Sequence, residues 1–166
     1  MDARPVLERV ARAMDELGLE AVLIGNAAAA LRGAPVTTID LDFFFHRSPG
    51  TVAKLKLLAK RWNGMLLRPH YPVSGLYRIS LEEEGLQFDF MSQIHGAKSY
   101  DSVRGRAEWF PIGETGLWVA SLADILKSKK AAGRPRDRAV LETLERTIHA
   151  QEAKPEKSSR RTPKGK

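Results

Sequence analysis

The stretch Val36–Phe45, VTTIDLDFFF, is apolar enough to be a buried strand, yet it carries Asp40 and Asp42 one residue apart. An unpaired carboxylate is costly to bury, and two neighbouring ones also repel each other. Strand side chains alternate, so Ile39, Leu41, Phe43 and Phe45 are expected on one face and Asp40, Asp42 and Phe44 on the other. That places the two carboxylates about 6 to 7 Å apart along the strand, pointing the same way. The stretch Leu86–Met91, LQFDFM, repeats the pattern: Asp89 shares a face with Gln87 and Met91, opposite Leu86, Phe88 and Phe90. Aspartate is depleted in strands. A sheet wet on one side accounts for any single one of the three. Three together suit a divalent cation better, because Mg²⁺ takes oxygen ligands and shares its shell with phosphates. Two such ions about 3.5 to 4 Å apart would serve both the attacking and the leaving oxygen of a phosphoryl transfer.

Outward from this strand, the pattern alternates helix and strand. Val6, Val10, Ala13, Met14 and Leu17 fall at helical spacing before Gly18, and LEAVLIG (Leu19–Gly25) reads as a strand. NAAAALRG is a short helix capped by Asn26 and ended by Gly33, and a further helix is expected over Pro49–Trp62. Next come short strands in MLLR, LYRISLE and LQFDFM, with a hairpin turn at Glu84-Gly85, and extended pieces in RAEWFPI and LWVAS. Two helices, Leu122–Ala132 and Pro135 to about His149, close the order. The fold class is therefore α+β: a mixed sheet flanked by helices, in one domain over residues 1–150.

Composition narrows the chemistry. There are no cysteines, and the four histidines lack ligand spacing, so any metal must be held mainly by oxygens. No apolar run is long enough to cross a bilayer, and the N-terminus reads as an amphipathic helix and not as a signal peptide, which predicts no membrane association and a cytoplasmic protein. The net charge of +7 is uneven: residues 151–166 carry +4, leaving about +3 for the body. That segment has almost nothing apolar to bury and is expected to be a disordered basic tail, suited to a polyanion such as RNA or acting only as a solubilising terminus.

Two further features bear on the carboxylates. Gly25-Asn26 lies where a strand gives way to a helix, a place with free backbone N–H groups for an anion, though from those two residues alone a plain turn glycine followed by a cap is the better reading. In SLADILKSKKAA, Lys129 falls on the stripe of Leu122, Ile125 and Leu126, and in the last helix Asp137 falls on that of Val140, Leu141, Leu144 and Ile148. A snorkelling lysine and a first-turn acid would also occupy such places. Arg134 and Arg136 could contact phosphate or RNA, though surface charge is the better reading of them.

LIGNAAAALRGAPVTTIDLDFFF resembles the signature of the nucleotidyltransferase superfamily, the polymerase-beta-like fold. The spacing G-x-P-x-T-T-x-D-x-D and the later SLADILKSKKAAGRPRD are similar to minimal nucleotidyltransferases related to abortive-infection and type IV toxin proteins. The resemblance covers roughly Leu19 to Leu144. It implies that Asp40 and Asp42 are metal ligands and that Asp89 is the third carboxylate, as ligand or as base for an acceptor hydroxyl. It further implies that Gly25, Asn26 and Thr38 bind the nucleotide, that Lys129 neutralises its phosphates and that Asp137 orients Lys129 or lies near the ribose. The implied cofactor is Mg²⁺ or Mn²⁺, as two ions; the implied partners are an NTP, an RNA or tRNA acceptor and a cognate antitoxin. The chain departs from the pattern at Asn26, where relatives carry a second Gly or Ser, and at Val36, where many carry arginine. These departures define the alternative: the same fold kept as a nucleotide- or RNA-binding module with impaired turnover.

Overall fold

A computed structural model describes residues 3–70 and 75–154. Six helices and seven strands follow the order α1 (Arg4–Leu17), β1 (Val22–Ile24), α2 (Gly25–Leu31), β2 (Leu41–Phe44), α3 (Pro49–Arg61), β3 (Met65–Leu67), β4 (Leu76–Leu81), β5 (Leu86–Met91), α4 (Tyr100–Arg106), β6 (Glu108–Ile112), β7 (Thr115–Val119), α5 (Leu122–Ala132) and α6 (Pro135–Glu152). The sheet runs β3-β4-β5-β2-β1-β7-β6. Among the described residues only β2 with β5 and β1 with β7 pair in parallel, so it is the mixed sheet that the alternation of elements predicts.

Aromatic residues from the two aspartate-bearing strands fill one face. Phe43 stacks on Phe90 at 4.9 Å, Phe45 meets Phe90 edge-on, and Trp62, just past α3, packs on Phe88. Helices α1 and α3 cover that side, while α2 lies against α5 on the other, with α5 packed on α6. Phe44 belongs to the second side, edge-on to Tyr100 of α4 at 5.5 Å. The strands are thus apolar on one face and divided on the other between Phe44 and the charged residues.

Four expectations change. β2 starts at Leu41, because the Asp40 N–H donates to Thr38 Oγ1 instead of joining the ladder; Ile39 is 74% exposed and not on the core face. Asn26 does not cap α2: Gly25 is already helical, and Ile24 is the cap residue without a side-chain bond. Between β5 and β6 lies α4, capped by Ser99 through the Ser102 N–H, where no helix was expected. α6 continues through Glu152, and Gln151 donates from Nε2 to the Arg32 carbonyl at 2.6 Å, so the first residues assigned to the tail are helical; residues 155–166 lie outside the described residues. Among the described residues, no helix is long and apolar enough to cross a membrane.

Candidate active site

The parallel pairing of β2 with β5 puts Asp42 directly opposite Asp89, on strands about 4.8 Å apart. On its other side Asp42 faces Ile24, the last residue of β1, and Gly25 follows at φ +69. A Cβ added to Gly25 would stand 2.8 Å from Asp42 Oδ2. Only glycine allows both that backbone conformation and that approach. The turn and the carboxylate therefore form one unit.

Burial is the largest influence on Asp42 and pushes its pKa up to about 6; Asp89 and then Asp40 add to the rise, while Lys129 and Arg136 oppose it. Five charged groups thus act at one spot. Asp40 lies just before the strand, its backbone fixed by Thr38, whose hydroxyl both accepts from the Asp40 N–H at 3.1 Å and donates to the Asp40 carbonyl at 3.2 Å. Asn26 lies beside Gly25 with a buried Oδ1 that has no hydrogen-bond partner. Buried polar atoms are rarely left so, and a ligand hydroxyl or a cation-bound water would satisfy it.

Asp89 is already engaged. It lies opposite Arg78 of β4, whose Nε donates to Oδ1 at 2.8 Å and whose Nη2 donates to Oδ2 at 2.9 Å, a bidentate pair largely screened from water. Arg78 was missed in the sequence, although the hairpin offered the signal. With Leu81 paired to Leu86 across the turn, three steps back along each strand match Arg78 to Asp89. Among the described residues, no three His, Asp or Glu side chains already stand together as a ligand set for a metal.

The other side of the site comes from α5 and α6. Asp137 is 1% exposed; it accepts from Arg134 Nε at 2.6 Å and from Lys129 Nζ at 3.4 Å. Burial acts to raise the Asp137 pKa, but the hydrogen bond and charge of Arg134, with those of Lys129, outweigh it and hold the carboxyl below its usual range. The inward placement of Lys129 and Asp137 read from the helical stripes agrees with this geometry. Arg134 and Arg136 are exposed, as surface charges are expected to be, yet the first pairs with a buried acid and the field of the second reaches Asp42.

Solved structures share this architecture at low identity. ANT(2″)-Ia, seen in complex with adenylyl-2″-tobramycin, is similar at a TM-score of 0.63 and 14% identity over 89% of this chain and 90% of that one. TM1012 from Thermotoga maritima, which carries a nucleotidyltransferase assignment, gives 0.58 and 14% over 88% and 92%. An antigenic nucleotidyltransferase-like protein from Paracoccidioides brasiliensis gives 0.57 and 17% over 89% and 75%. No curated protein matches the sequence at a significant level. The family model described as "Nucleotidyl transferase of unknown function (DUF2204)" matches residues 3–162, nearly the whole chain, and the chain belongs to that nucleotidyltransferase family.

Proposed function

We propose that the chain transfers a nucleoside monophosphate from an NTP to an acceptor hydroxyl, releasing pyrophosphate, with Mg²⁺ or Mn²⁺ as cofactor. The observation that carries this reading is the register of Asp42 against Asp89 with Gly25 packed on Asp42. The residues suit a divalent cation: Asp42 is destabilised as an anion by burial, Asp89 and Asp40, and Asn26, which follows Gly25 in the chain, carries a buried Oδ1 without a partner. Asp40 and Asp42 would hold the ion, which when bound draws charge off the triphosphate. Gly25 leaves room for a phosphate against the backbone, and Lys129 and Arg136 supply positive charge. Asp89 would accept the proton of the acceptor hydroxyl as its oxygen bonds to the α-phosphorus. The bond from that phosphorus to the bridging oxygen then breaks, and the pair of electrons leaves with pyrophosphate.

The net charge of +7 favours RNA as acceptor, and the resemblance to toxin nucleotidyltransferases narrows that proposal to a tRNA end. The adenylylated aminoglycoside on ANT(2″)-Ia suggests a small polyhydroxylated acceptor instead. Purified protein incubated with each α-labelled NTP and Mg²⁺, in separate arms with total RNA, cell protein and aminoglycosides, tests the reading. Label is expected in the RNA arm for the wild type and not for Asp42→Asn; label in no arm refutes transfer. A toxin role, with a cognate antitoxin as partner, further predicts growth arrest on expression that the same substitution relieves. The Arg78–Asp89 pair favours a second reading, a nucleotide-binding module without turnover, for which NTP binding would persist with no label in any arm.

A further inference from the structure

The Arg78–Asp89 pair bears on how many ions the site holds, a point that rests on the metal-dependent reading of the same carboxylates. A guanidinium that donates through both Nε and Nη2 to the two oxygens of one carboxylate cancels that carboxylate's charge and fixes its plane. Neighbouring strands hold the pair: Arg78 and Asp89 are register partners within the six-residue β4–β5 ladder, and Asp89 is in turn the partner of Asp42 in β2. A second divalent ion ligated by Asp89 would have to sit beside the Arg78 charge or expel it from a pocket where its side chain is three-quarters covered. Among the described residues neither Asp40 nor Asp42 forms an ion pair, so these two carboxylates stay open to a cation where Asp89 does not.

We infer that this chain binds a single divalent ion with its nucleotide, at Asp40 and Asp42, and that Arg78 is a positioning residue standing at Asp89 where three free carboxylates would admit a second ion. Asp89 Oδ1 keeps a lone pair beyond the one used by Arg78, so the carboxylate is held in a fixed plane while still able to take a proton from a hydroxyl.

Electron paramagnetic resonance of Mn²⁺, titrated into the full chain with one equivalent of a non-hydrolysable NTP analogue, counts the ions directly and does not depend on turnover. The wild type is expected to bind one ion per chain with the spectrum of an isolated centre, Arg78→Lys to do the same, and Arg78→Met to take up two ions with a spin-coupled spectrum. Two coupled ions in the wild type would overturn the inference and leave the proposed transferase standing. One ion in a folded Arg78→Met variant would overturn the role of Arg78. No protein-bound Mn²⁺ at all would refute the metal-dependent function and this inference with it. If Arg78→Met does not fold, the wild-type count alone decides.

Discussion

Gly25 and Asp42 cannot be varied independently. Gly25→Ala adds a methyl group 2.8 Å from Asp42 Oδ2 at a backbone φ of +69, so it should cost about 1 to 3 kcal/mol in denaturant unfolding and lower label transfer by about a hundredfold or more. Asp42 itself predicts a pH signature in the cation-free protein. Its native pKa of about 6 lies above the ordinary 3.8, so the native state holds the proton more tightly than the unfolded chain. Stability should therefore fall as pH rises from about 4 to 6, and stay lowered above that. Asp42→Asn, measured by thermal unfolding in a chelator, should be more stable than the wild type by about 3 kcal/mol at pH 7 to 8, with the gain vanishing near pH 4. An equal effect at both pH values would contradict the assignment. At this scale the sequence was informative where chemistry is unusual, as with aspartates in aromatic strands. It misled where a local side-chain bond overrides alternation, as Thr38 does for Ile39 and Asp40.

Among the elements, the α5–α6 corner shows how a helix pair presents a cation to the site. Asp137 is buried between Lys129 and Arg134, so Asp137→Ala leaves Lys129 without its buried counter-charge and should cost about 3 to 5 kcal/mol in denaturant unfolding. Lys129→Met should leave the fold closer to intact while raising the NTP concentration needed for half-maximal transfer. Gly96 couples the loop after β5 to the same corner: a Cβ there would lie 2.8 Å from the Lys127 carbonyl oxygen, at φ +77. Gly96→Ala should therefore loosen α5 and destabilise the protein by about 1 to 3 kcal/mol. The stripes that located Lys129 and Asp137 were legible because α5 and α6 run 11 and 18 residues, long enough for a periodicity to emerge. α4 was not, because seven residues with only Tyr100 and Val103 buried offer no repeat; the Ser99 cap, Asp101 in the first turn and basic residues in the last were its only signals.

For the whole molecule, the sheet order turns distant segments into one site: the β1–α2 junction delivers Gly25 and Asn26, β2 Asp42, β5 Asp89 and β4 Arg78, while α5 and α6 bring Lys129 and Arg136 close enough to act on Asp42. The alternation of elements revealed the fold class, but not that β2 would sit between β1 and β5, since strand order depends on long-range pairing that local pattern does not encode. Asp40, Asp42 and Asp89 could be nominated as a set from their residue type and strand faces, while the Arg78 pairing emerges only when the hairpin register is counted back from Leu81 and Leu86. The central claim, that these carboxylates form a cation-dependent nucleotide site, is tested most directly by thermal unfolding of the wild type and Asp42→Asn with each NTP, with and without Mg²⁺. At an NTP concentration about a hundred times the dissociation constant, binding should add about 2.7 kcal/mol, a rise of roughly 5 to 10 °C for a chain of this size. The account predicts that rise only when wild type, NTP and Mg²⁺ are all present; an equal rise without Mg²⁺ or with Asp42→Asn, or none under any condition, would contradict it.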